Sequence, residues 1–263
     1  MITAGVDIGS SSNKIVLMDD RGILDLYIAP SYLEFQSQSE DGYLQLLEKN
    51  NLRLQDVYAV VATGYGRRSV RYADKCITEI SCHARGANWS NPEIRTILDM
   101  GGQDCKAIIC DEKGKLVNFA MNEKCAAGTG RYLERMAKLT KVPIDRISDV
   151  ARESEDPRSL SSLCLVYAEQ NAERMLMQGV PVPDILAGAC QHIVNNITQL
   201  LNKVGGVQEQ FCVSGGVAQN SYLTKLLEKE LQIKVAAIPN PQFNGAIGAA
   251  RFARELKKIR IRE

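Results

Sequence analysis

Apolar residues in the chain form short runs typical of strands and longer runs with helical spacing. Residues 5–22 predict a strand, a turn of small residues, a second strand and a charged turn. Residues 57–64 and 211–220 predict two further strands, each running into glycine. Helical spacing predicts helices at residues 43–50 and 184–204. Strands and helices are therefore expected to be interspersed along the chain.

Further helices are marked by turn residues and small residues. One helix is predicted to begin near Ser221, after a Gly-Gly turn. The last helix opens with small residues at 245–250, as close packing of helices requires. Residues 139–160 are polar, and the acidic run at 153–157 predicts a surface loop between helices.

An internal repeat relates the start of the chain to its middle. The segment around Asp7 matches the segment around Asp99 without gaps, and each matched residue lies 92 positions later. The matched pairs are Asp7 and Asp99, Gly9 and Gly101, Lys14 and Lys106, Asp19 and Asp111, and Gly22 and Gly114. The repeat predicts two similar halves, each opening on an acidic, glycine-lined β-turn.

The repeated turns have the composition of phosphate-binding loops. Glycine and serine let backbone N–H groups and hydroxyls approach phosphate oxygens. Asp7 and Asp99 are candidate catalytic residues, because an aspartate beside such a turn can hold a hydrated magnesium ion or orient an attacking water. Two ordinary β-hairpins are the alternative. The candidate phosphate contacts are Gly9, Ser10, Ser11, Ser12, Gly101 and Gly102.

The Gly-Gly turn after the strand at residues 211–214 is a candidate adenosine site. Glycine lets a flat base and its ribose lie close to the backbone. The candidate contacts are Gly215, Gly216 and Gln219.

Cys125 lies among small residues that predict a loop running into a helix. A thiolate there would face the open N–H groups and the positive end of the helix dipole, which favour an anionic sulfur or a metal–sulfur cluster. A buried free cysteine in a tight glycine-rich turn is the alternative. Gly128, Thr129 and Gly130, which lead into the helix, are further candidate cofactor contacts, and Cys164 precedes another apolar stretch.

The amino-acid composition excludes several classes of protein. The chain has 45% hydrophobic and 24% charged residues, as ordinary globular proteins do, and a net charge of +1 that argues against nucleic acid. No apolar run predicts a signal peptide or a membrane span. The eight cysteines lack C-x-x-C spacing, so we expect a reducing, cytoplasmic setting.

The two histidines and four of the cysteines are expected to be structural. His83 and His192 are predicted to pack within helices rather than to bind metal. The predicted core cysteines are Cys105, Cys110, Cys190 and Cys212.

The paired acidic hairpins and the later Gly-Gly turn resemble the ATPase fold of actin, Hsp70 and sugar kinases. Residues 122–131, 101–104 and 215–220 are similar to a narrower group, the activator ATPases of 2-hydroxyacyl-CoA dehydratases and the ATPase subunits of benzoyl-CoA reductase. The resemblance implies an α/β, actin-like (ribonuclease H-like) fold with two duplicated lobes around a nucleotide cleft. Lobe I is then expected at residues 1–94 plus 245–263, and lobe II at residues 95–244.

The resemblance also implies a mechanism. It implies a homodimer that shares one oxygen-sensitive [4Fe-4S] cluster, with Cys125 as the first ligand and Cys164 as the second in each subunit. MgATP would bind the cleft, with Asp7 holding magnesium through water and Gln103 sensing the terminal phosphate. The expected electron donor is a ferredoxin or flavodoxin. The expected acceptor is a partner iron–sulfur dehydratase or reductase of anaerobic metabolism.

Three other functions remain open from the sequence. The chain is alternatively a benzoyl-CoA reductase subunit or the reductase of a double-cubane cluster protein, which changes only the recipient of the electron. A metabolite kinase of the same fold would need a substrate pocket and a catalytic carboxylate. A cluster-free scaffold, similar to filament-forming actin relatives, is the third. Neither the kinase nor the scaffold accounts for Cys125 in its small-residue loop.

Overall fold

The computed structural model describes residues 1–31, 35–122, 128–160 and 165–256. The strands are β1 (Ile2–Ile8), β2 (Ser12–Met18), β3 (Ile23–Pro30), β4 (Val57–Thr63), β5 (Lys75–Cys76), β6 (Ile94–Met100), β7 (Cys105–Cys110), β8 (Leu116–Met121), β9 (Gln210–Ser214) and β10 (Val235–Ala236). The α-helices are α1 (Phe35–Lys49), α2 (Glu79–Ser90), α3 (Gly130–Thr140), α4 (Ile147–Arg152), α5 (Leu165–Met177), α6 (Val182–Asn202), α7 (Ser221–Leu231) and α8 (Asn244–Glu255).

The chain forms two compact units. The first comprises Met1–Pro92, Asp111–Leu116 and Phe243–Glu263, and the second comprises Glu93–Cys110 and Val117–Gln242. Each unit is built around its own five-stranded sheet.

The sheet of the first unit has the strand order β3-β2-β1-β4-β5. Its central strand β1 runs antiparallel to β2 and parallel to β4. All residues of β1 except Ile2 are buried, which is typical of a strand covered on both faces. Thr3 and Asp7 are the polar residues that this otherwise apolar strand buries.

The backbone of helix α8 packs directly against the backbones of β1 and α2. A Cβ atom at Gly5 of β1 would lie 1.9 Å from the Ala246 carbonyl oxygen, and one at Gly248 would lie 1.8 Å from the Cys82 carbonyl oxygen. Only glycine allows such an approach. The close packing that the small residues of the last helix predict is confirmed.

The sheet of the second unit repeats this topology, with the order β10-β9-β6-β7-β8. Its central strand β6 is antiparallel to β7 and parallel to β9. Helices α3 and α6 contribute apolar side chains to the core of this unit. The predicted duplication is confirmed, since each unit opens on the same hairpin and places the same kind of parallel strand beside it.

The predicted helices at residues 184–204 and from Ser221 correspond to α6 and α7. Asn220 caps α7 by accepting a hydrogen bond from Leu223 N at 3.0 Å. The polar region at residues 139–160 contains a short helix, α4, that the sequence does not predict. Within the described part of the chain, no helix is both long enough and apolar enough to cross a membrane.

Candidate functional site

The first glycine-lined turn connects β1 to β2. Gly9 donates its N–H to the Ser12 carbonyl oxygen at 3.1 Å. A Cβ atom at Gly9 would lie 2.9 Å from that oxygen and 3.2 Å from Lys14 Nζ. The Ser11 hydroxyl is buried, and within the described residues no group hydrogen-bonds to it. A phosphate could bind at this turn. The Ser11 hydroxyl is available to hydrogen-bond to it, and the Lys14 ammonium would pair with its negative charge.

Asp7 lies near the end of β1, two positions before Gly9, and is only 6% exposed. Two glycines let the backbone pack against its carboxylate. A Cβ atom at Gly64 would lie 2.3 Å from Oδ1, and one at Gly245 would lie 2.8 Å from Oδ2. Gly64 also has a φ of +84°. The carboxylate is therefore held in one place beside the turn, where it can accept hydrogen bonds from the waters of a magnesium ion.

His83 is a neighbour of Asp7 that the sequence does not reveal. The predicted packing of His83 in a helix is confirmed, since it is buried in α2. Its Nε2 lies 2.9 Å from the Cβ position of Gly245, the same position that Asp7 Oδ2 approaches. The Asn244 side-chain amide nitrogen lies 3.2 Å from Nδ1. The same nitrogen donates to the His83 backbone carbonyl oxygen at 3.0 Å, so Asn244 fixes the ring with Nε2 on the side of Asp7.

The second hairpin holds its aspartate with a buried cation. Lys106 Nζ lies 3.4 Å from Asp99 Oδ2 and 2.7 Å from Asp104 Oδ1, and its side chain is 2% exposed. The Ser214 hydroxyl donates to Asp99 Oδ1 at 3.0 Å. Gln103 is exposed at the tip of the turn. Asp99 is thus a fixed acceptor with both carboxylate oxygens engaged.

The repeat extends beyond the hairpins. In each unit a glycine with positive φ follows the parallel strand, Gly64 at +84° and Gly215 at +87°. The residue before each glycine, Thr63 or Ser214, lies opposite the aspartate of its own hairpin. Ser214 follows Thr63 by 151 positions rather than 92. An ungapped comparison of the sequence therefore cannot detect this part of the repeat.

The repeated lysines differ in their partners. Lys106 is paired with Asp104, whereas the equivalent position in the first turn is Ser12. Within the described residues, no carboxylate pairs with Lys14. Lys14 is therefore a candidate phosphate contact that is absent from the sequence prediction. Lys14 belongs to the internal repeat, so the sequence does single it out. Repetition alone, however, does not distinguish a structural lysine from one that binds a ligand.

The Gly-Gly turn follows β9 in the second unit. A Cβ atom at Gly215 would lie 2.3 Å from the Met100 carbonyl oxygen. A short 3-10 helix spans Gly216–Gln219. Gln219 donates through Nε2 to Gln242 Oε1 at 2.6 Å. This predicted adenosine turn thus packs directly on β6, the strand that leads into the second glycine-lined turn.

Helix α3 is bonded directly to the second turn. Gly130 donates its N–H to the Gly101 carbonyl oxygen at 2.9 Å, and Arg131 donates to the Gly102 carbonyl oxygen at 2.8 Å. The expectation that the helix after Cys125 leaves these first N–H groups open is therefore wrong. The carbonyls of the turn satisfy them because the turn passes over the end of the helix.

Cys125 and Cys164 lie outside the described residues. The described residues on either side of Cys125 both bond to Cys105 of β7. Asn122 N donates to the Cys105 carbonyl oxygen at 3.0 Å, and the Cys105 thiol donates to the Gly128 carbonyl oxygen at 3.0 Å. On the other side, α5 begins directly after Cys164. Gly128 and Thr129 stay predictions as cofactor contacts.

The described cysteines are poor metal ligands, with the exception of exposed Cys76. Burial raises the pKa of the Cys82 thiol to about 12 and that of the Cys190 thiol to about 12. It also raises the pKa of Cys105 and Cys212. Because iron binds thiolates, these groups are unsuited to a cluster. The predictions that Cys105, Cys110, Cys190 and Cys212 are core residues are confirmed. No cluster of three metal-binding side chains occurs among the described residues.

Known proteins resemble the chain over nearly its whole length. It is 38% identical to the 2-hydroxyisocaproyl-CoA dehydratase activator of Clostridioides difficile over 96% of this chain and 95% of the relative. The solved structure of a Clostridium difficile activator of 2-hydroxyisocaproyl-CoA dehydratase with bound ADPNP is 37% identical, with a TM-score of 0.89, and covers 98% of this chain and 99% of its own.

Other solved structures define the fold. Component A of the (R)-2-hydroxyglutaryl-CoA dehydratase of Acidaminococcus fermentans is 35% identical, covers 97% of this chain and 98% of its own, and has a TM-score of 0.92. A ROK family glucokinase from Streptomyces griseus, 13% identical, covers 97% of this chain and all of its own with a TM-score of 0.60, and shares the fold alone. The predicted actin-like α/β fold class is confirmed. The family model described as the BadF/BadG/BcrA/BcrD ATPase family matches residues 4–253, and the chain belongs to this ATPase family, as its motifs predict.

Proposed function

We propose that this chain is an ATP-dependent activator that injects single, low-potential electrons into a partner iron–sulfur dehydratase or reductase. One observation carries the proposal. The second phosphate turn is hydrogen-bonded to the start of the helix that follows Cys125, through Gly130 and Arg131. A nucleotide at that turn would therefore act directly on the cysteine-bearing segment. The names of the relatives, activators of 2-hydroxyacyl-CoA dehydratases, support the same function.

ATP phosphates are proposed to bind the two glycine turns. In the first turn the donors would be the backbone N–H groups and hydroxyls of residues 9–12, with Lys14 as the cation. In the second turn the contacts would be Gly101 and Gly102, and Gly215, Gly216 and Gln219 would flank the adenosine. The unused Ser11 hydroxyl and the position of Lys14 beside Gly9 support this assignment.

Hydrolysis is assigned to the two aspartates. Asp7 would orient water ligands of magnesium, which neutralises charge on the phosphates when it is bound. Asp99, fixed by Lys106 and Ser214, would accept a hydrogen bond from the attacking water, and Gln103 at the exposed tip would contact the terminal phosphate. The terminal phosphoryl group then passes to water, with release of ADP and phosphate and no covalent intermediate.

The electron carrier is proposed to be one [4Fe-4S] cluster held by Cys125 and Cys164 from each of two subunits. A cluster bound there would store and release one electron at low potential. The burial of other cysteines, such as Cys190 in the core of the second unit, supports the choice of these two cysteines. Exposed apolar side chains also lie close in sequence to both of them, Phe119 on the edge strand β8 and Tyr167 on α5, as a homodimer interface requires.

The partners follow from the same proposal. The electron donor would be a ferredoxin or flavodoxin in the cytoplasm, and the acceptor a 2-hydroxyacyl-CoA dehydratase. A benzoyl-CoA-type reductase or a double-cubane cluster protein would change only the acceptor. Oxygen sensitivity would follow from a cluster shared between subunits. Gly128, Thr129 and Gly130 would keep the cysteine segment close to the phosphate turn.

The proposal is tested by the products and the redox behaviour of the anaerobically reconstituted protein. We expect MgATP to be hydrolysed to ADP and phosphate without any added metabolite, and dithionite to reduce the protein by about one electron per dimer. A metabolite kinase would instead be colourless and would consume ATP only when a phosphoryl acceptor is present. Colourless protein, or ATP consumption that requires a phosphoryl acceptor, would therefore contradict the proposed activator function.

A further inference from the structure

Helices α3 and α5 each follow one of the two candidate cluster cysteines. Helix α3 begins at Gly130, five positions after Cys125, and α5 begins at Leu165, directly after Cys164. Whatever moves both helices together therefore moves both cysteine segments of one subunit together.

Helix α3 is also the element that the second phosphate turn holds. Its first two N–H groups donate to the carbonyl oxygens of Gly101 and Gly102. One face of α3 is anchored in the core of the second unit by Tyr132, Leu133 and Met136. An α-helix with this anchoring is a stiff element, so a displacement at its first turn is carried along its length.

The apolar packing of α5 is not directional. Its fully buried residues are Ala168 and Ala172, and Leu165, Met175 and Leu176 are partly buried against the same core as the buried face of α3. Apolar packing depends on shape and distance rather than on a fixed donor–acceptor geometry. A directional contact between the two helices therefore adds an orientation that apolar packing does not fix.

Arg135 and Glu169 provide that contact. Arg135 Nε donates to Glu169 Oε1 at 2.5 Å, and Arg135 Nη2 donates to Glu169 Oε2 at 2.6 Å. The side chain of Glu169 is only 18% exposed. This bidentate geometry fixes both distance and orientation. By contrast, the pairs Arg131–Glu134 and Arg146–Asp149 each join residues three positions apart and hold no second helix.

We infer that the Arg135–Glu169 pair is the positioning contact through which α3 passes a displacement of the second phosphate turn to α5. The inference rests on the proposed function, because it assigns the turn to nucleotide and the two helices to the cysteine segments. Arg135 and Glu169 touch neither the nucleotide nor the iron. They make the two cysteine segments of a subunit respond to nucleotide as one body.

The test measures hydrogen exchange in the full-length, cluster-free protein with and without magnesium and ADPNP. Peptides covering residues 130–140 and 165–177 are followed by mass spectrometry. The variants are Arg135→Gln, Arg135→Lys and the charge exchange Arg135→Glu/Glu169→Arg. Arg146→Lys is the matched control, since it weakens an exposed pair in the same unit that does not join α3 to α5.

We expect ADPNP to slow exchange in both peptides of the wild type and of Arg146→Lys. In Arg135→Gln the slowing should persist at residues 130–140 but fall by about threefold or more at residues 165–177. Arg135→Lys, which loses the bidentate geometry, should show an intermediate loss, and the charge exchange should restore part of the response. The affinity for ADPNP should stay within about twofold of the wild type, because no variant alters a phosphate turn.

A second readout uses the reconstituted protein. ADPNP should change the rate at which a chelator removes iron from the wild type and the control, and the change should be smaller in Arg135→Gln. The inference is overturned if residues 165–177 respond equally in wild type and Arg135→Gln, or do not respond in a wild type that binds ADPNP. A wild type that does not bind ADPNP overturns the proposed function itself.

Discussion

Removal of the Lys106 charge is predicted to destabilise the second unit strongly. The ammonium group is buried, 2.7 Å from Asp104 Oδ1 and 3.4 Å from Asp99 Oδ2. The substitution Lys106→Met keeps a side chain of similar length but removes the cation from a carboxylate, Asp99, whose side chain is only 5% exposed. An ionised carboxylate without its cation is costly in such surroundings.

The magnitude follows from the distance and the burial. At an effective dielectric constant of about 20, two unit charges 3.4 Å apart attract by roughly 5 kcal/mol. The lysine no longer has to be desolvated in the variant, which offsets part of this loss. We therefore expect the free energy of unfolding to fall by about 3–5 kcal/mol, as when one member of a buried pair is removed. A loss of about 4 kcal/mol is roughly a thousandfold change in the unfolding equilibrium.

The assay is urea unfolding followed by far-ultraviolet circular dichroism. Fluorescence of the single tryptophan, Trp89, would report on the first unit instead. Lys14→Met is the matched control, because it removes the repeated lysine that lacks a carboxylate partner among the described residues, and it should change stability by about 0.5 kcal/mol or less. If the free energy of unfolding falls by less than about 1 kcal/mol more in Lys106→Met than in Lys14→Met, Lys106 does not stabilise a buried charge on Asp99.

Three further substitutions and one labelling experiment have expected results. Asp7→Asn should lower the rate of ATP hydrolysis by about a hundredfold or more, and a rate near that of wild type in a phosphate-release assay would contradict the role of Asp7. His83→Gln replaces the ring that lies beside Asp7 and should therefore lower kcat about tenfold without changing the ADP affinity measured by calorimetry. A change in affinity with an unchanged kcat would contradict an effect of His83 on Asp7. Gly215→Ala should lower stability by about 2 kcal/mol or more, because φ is +87° and the methyl group would meet a carbonyl oxygen; an unchanged melting temperature would contradict this. At pH 8 iodoacetamide should modify exposed Cys76 but spare Cys190, whose pKa is raised to about 12 by burial, and mass mapping that finds Cys190 modified in the native protein would contradict it.

The duplicated fold could be predicted because its signal is local. Asp7, Gly9 and Lys14 recur at a constant offset in Asp99, Gly101 and Lys106 because a hairpin fixes the spacing between its turn and its strands. Periodicity likewise predicted α6 over most of its length, since thirteen of its residues are buried. The helix α4 escaped prediction because six residues contain less than two helical turns.

The parts of the site that escaped prediction depend on contacts between distant residues. His83 approaches Asp7 only because glycines at 245 and 248 draw α8 against α2, 160 positions or more along the chain. The N–H groups at the start of α3 were expected to be open because a sequence shows the end of a helix but not what lies over it. The different partners of Lys14 and Lys106 likewise become visible only in three dimensions.

The most direct test of the proposed electron injector is the iron content of the anaerobically reconstituted protein. Wild type and Cys190→Ser should contain about four irons and four sulfides per dimer and absorb visible light, whereas Cys125→Ser and Cys164→Ser should lose the cluster. Colourless wild-type protein that still binds ATP after reconstitution, or full iron content in Cys125→Ser, would contradict an electron injector built on these two cysteines.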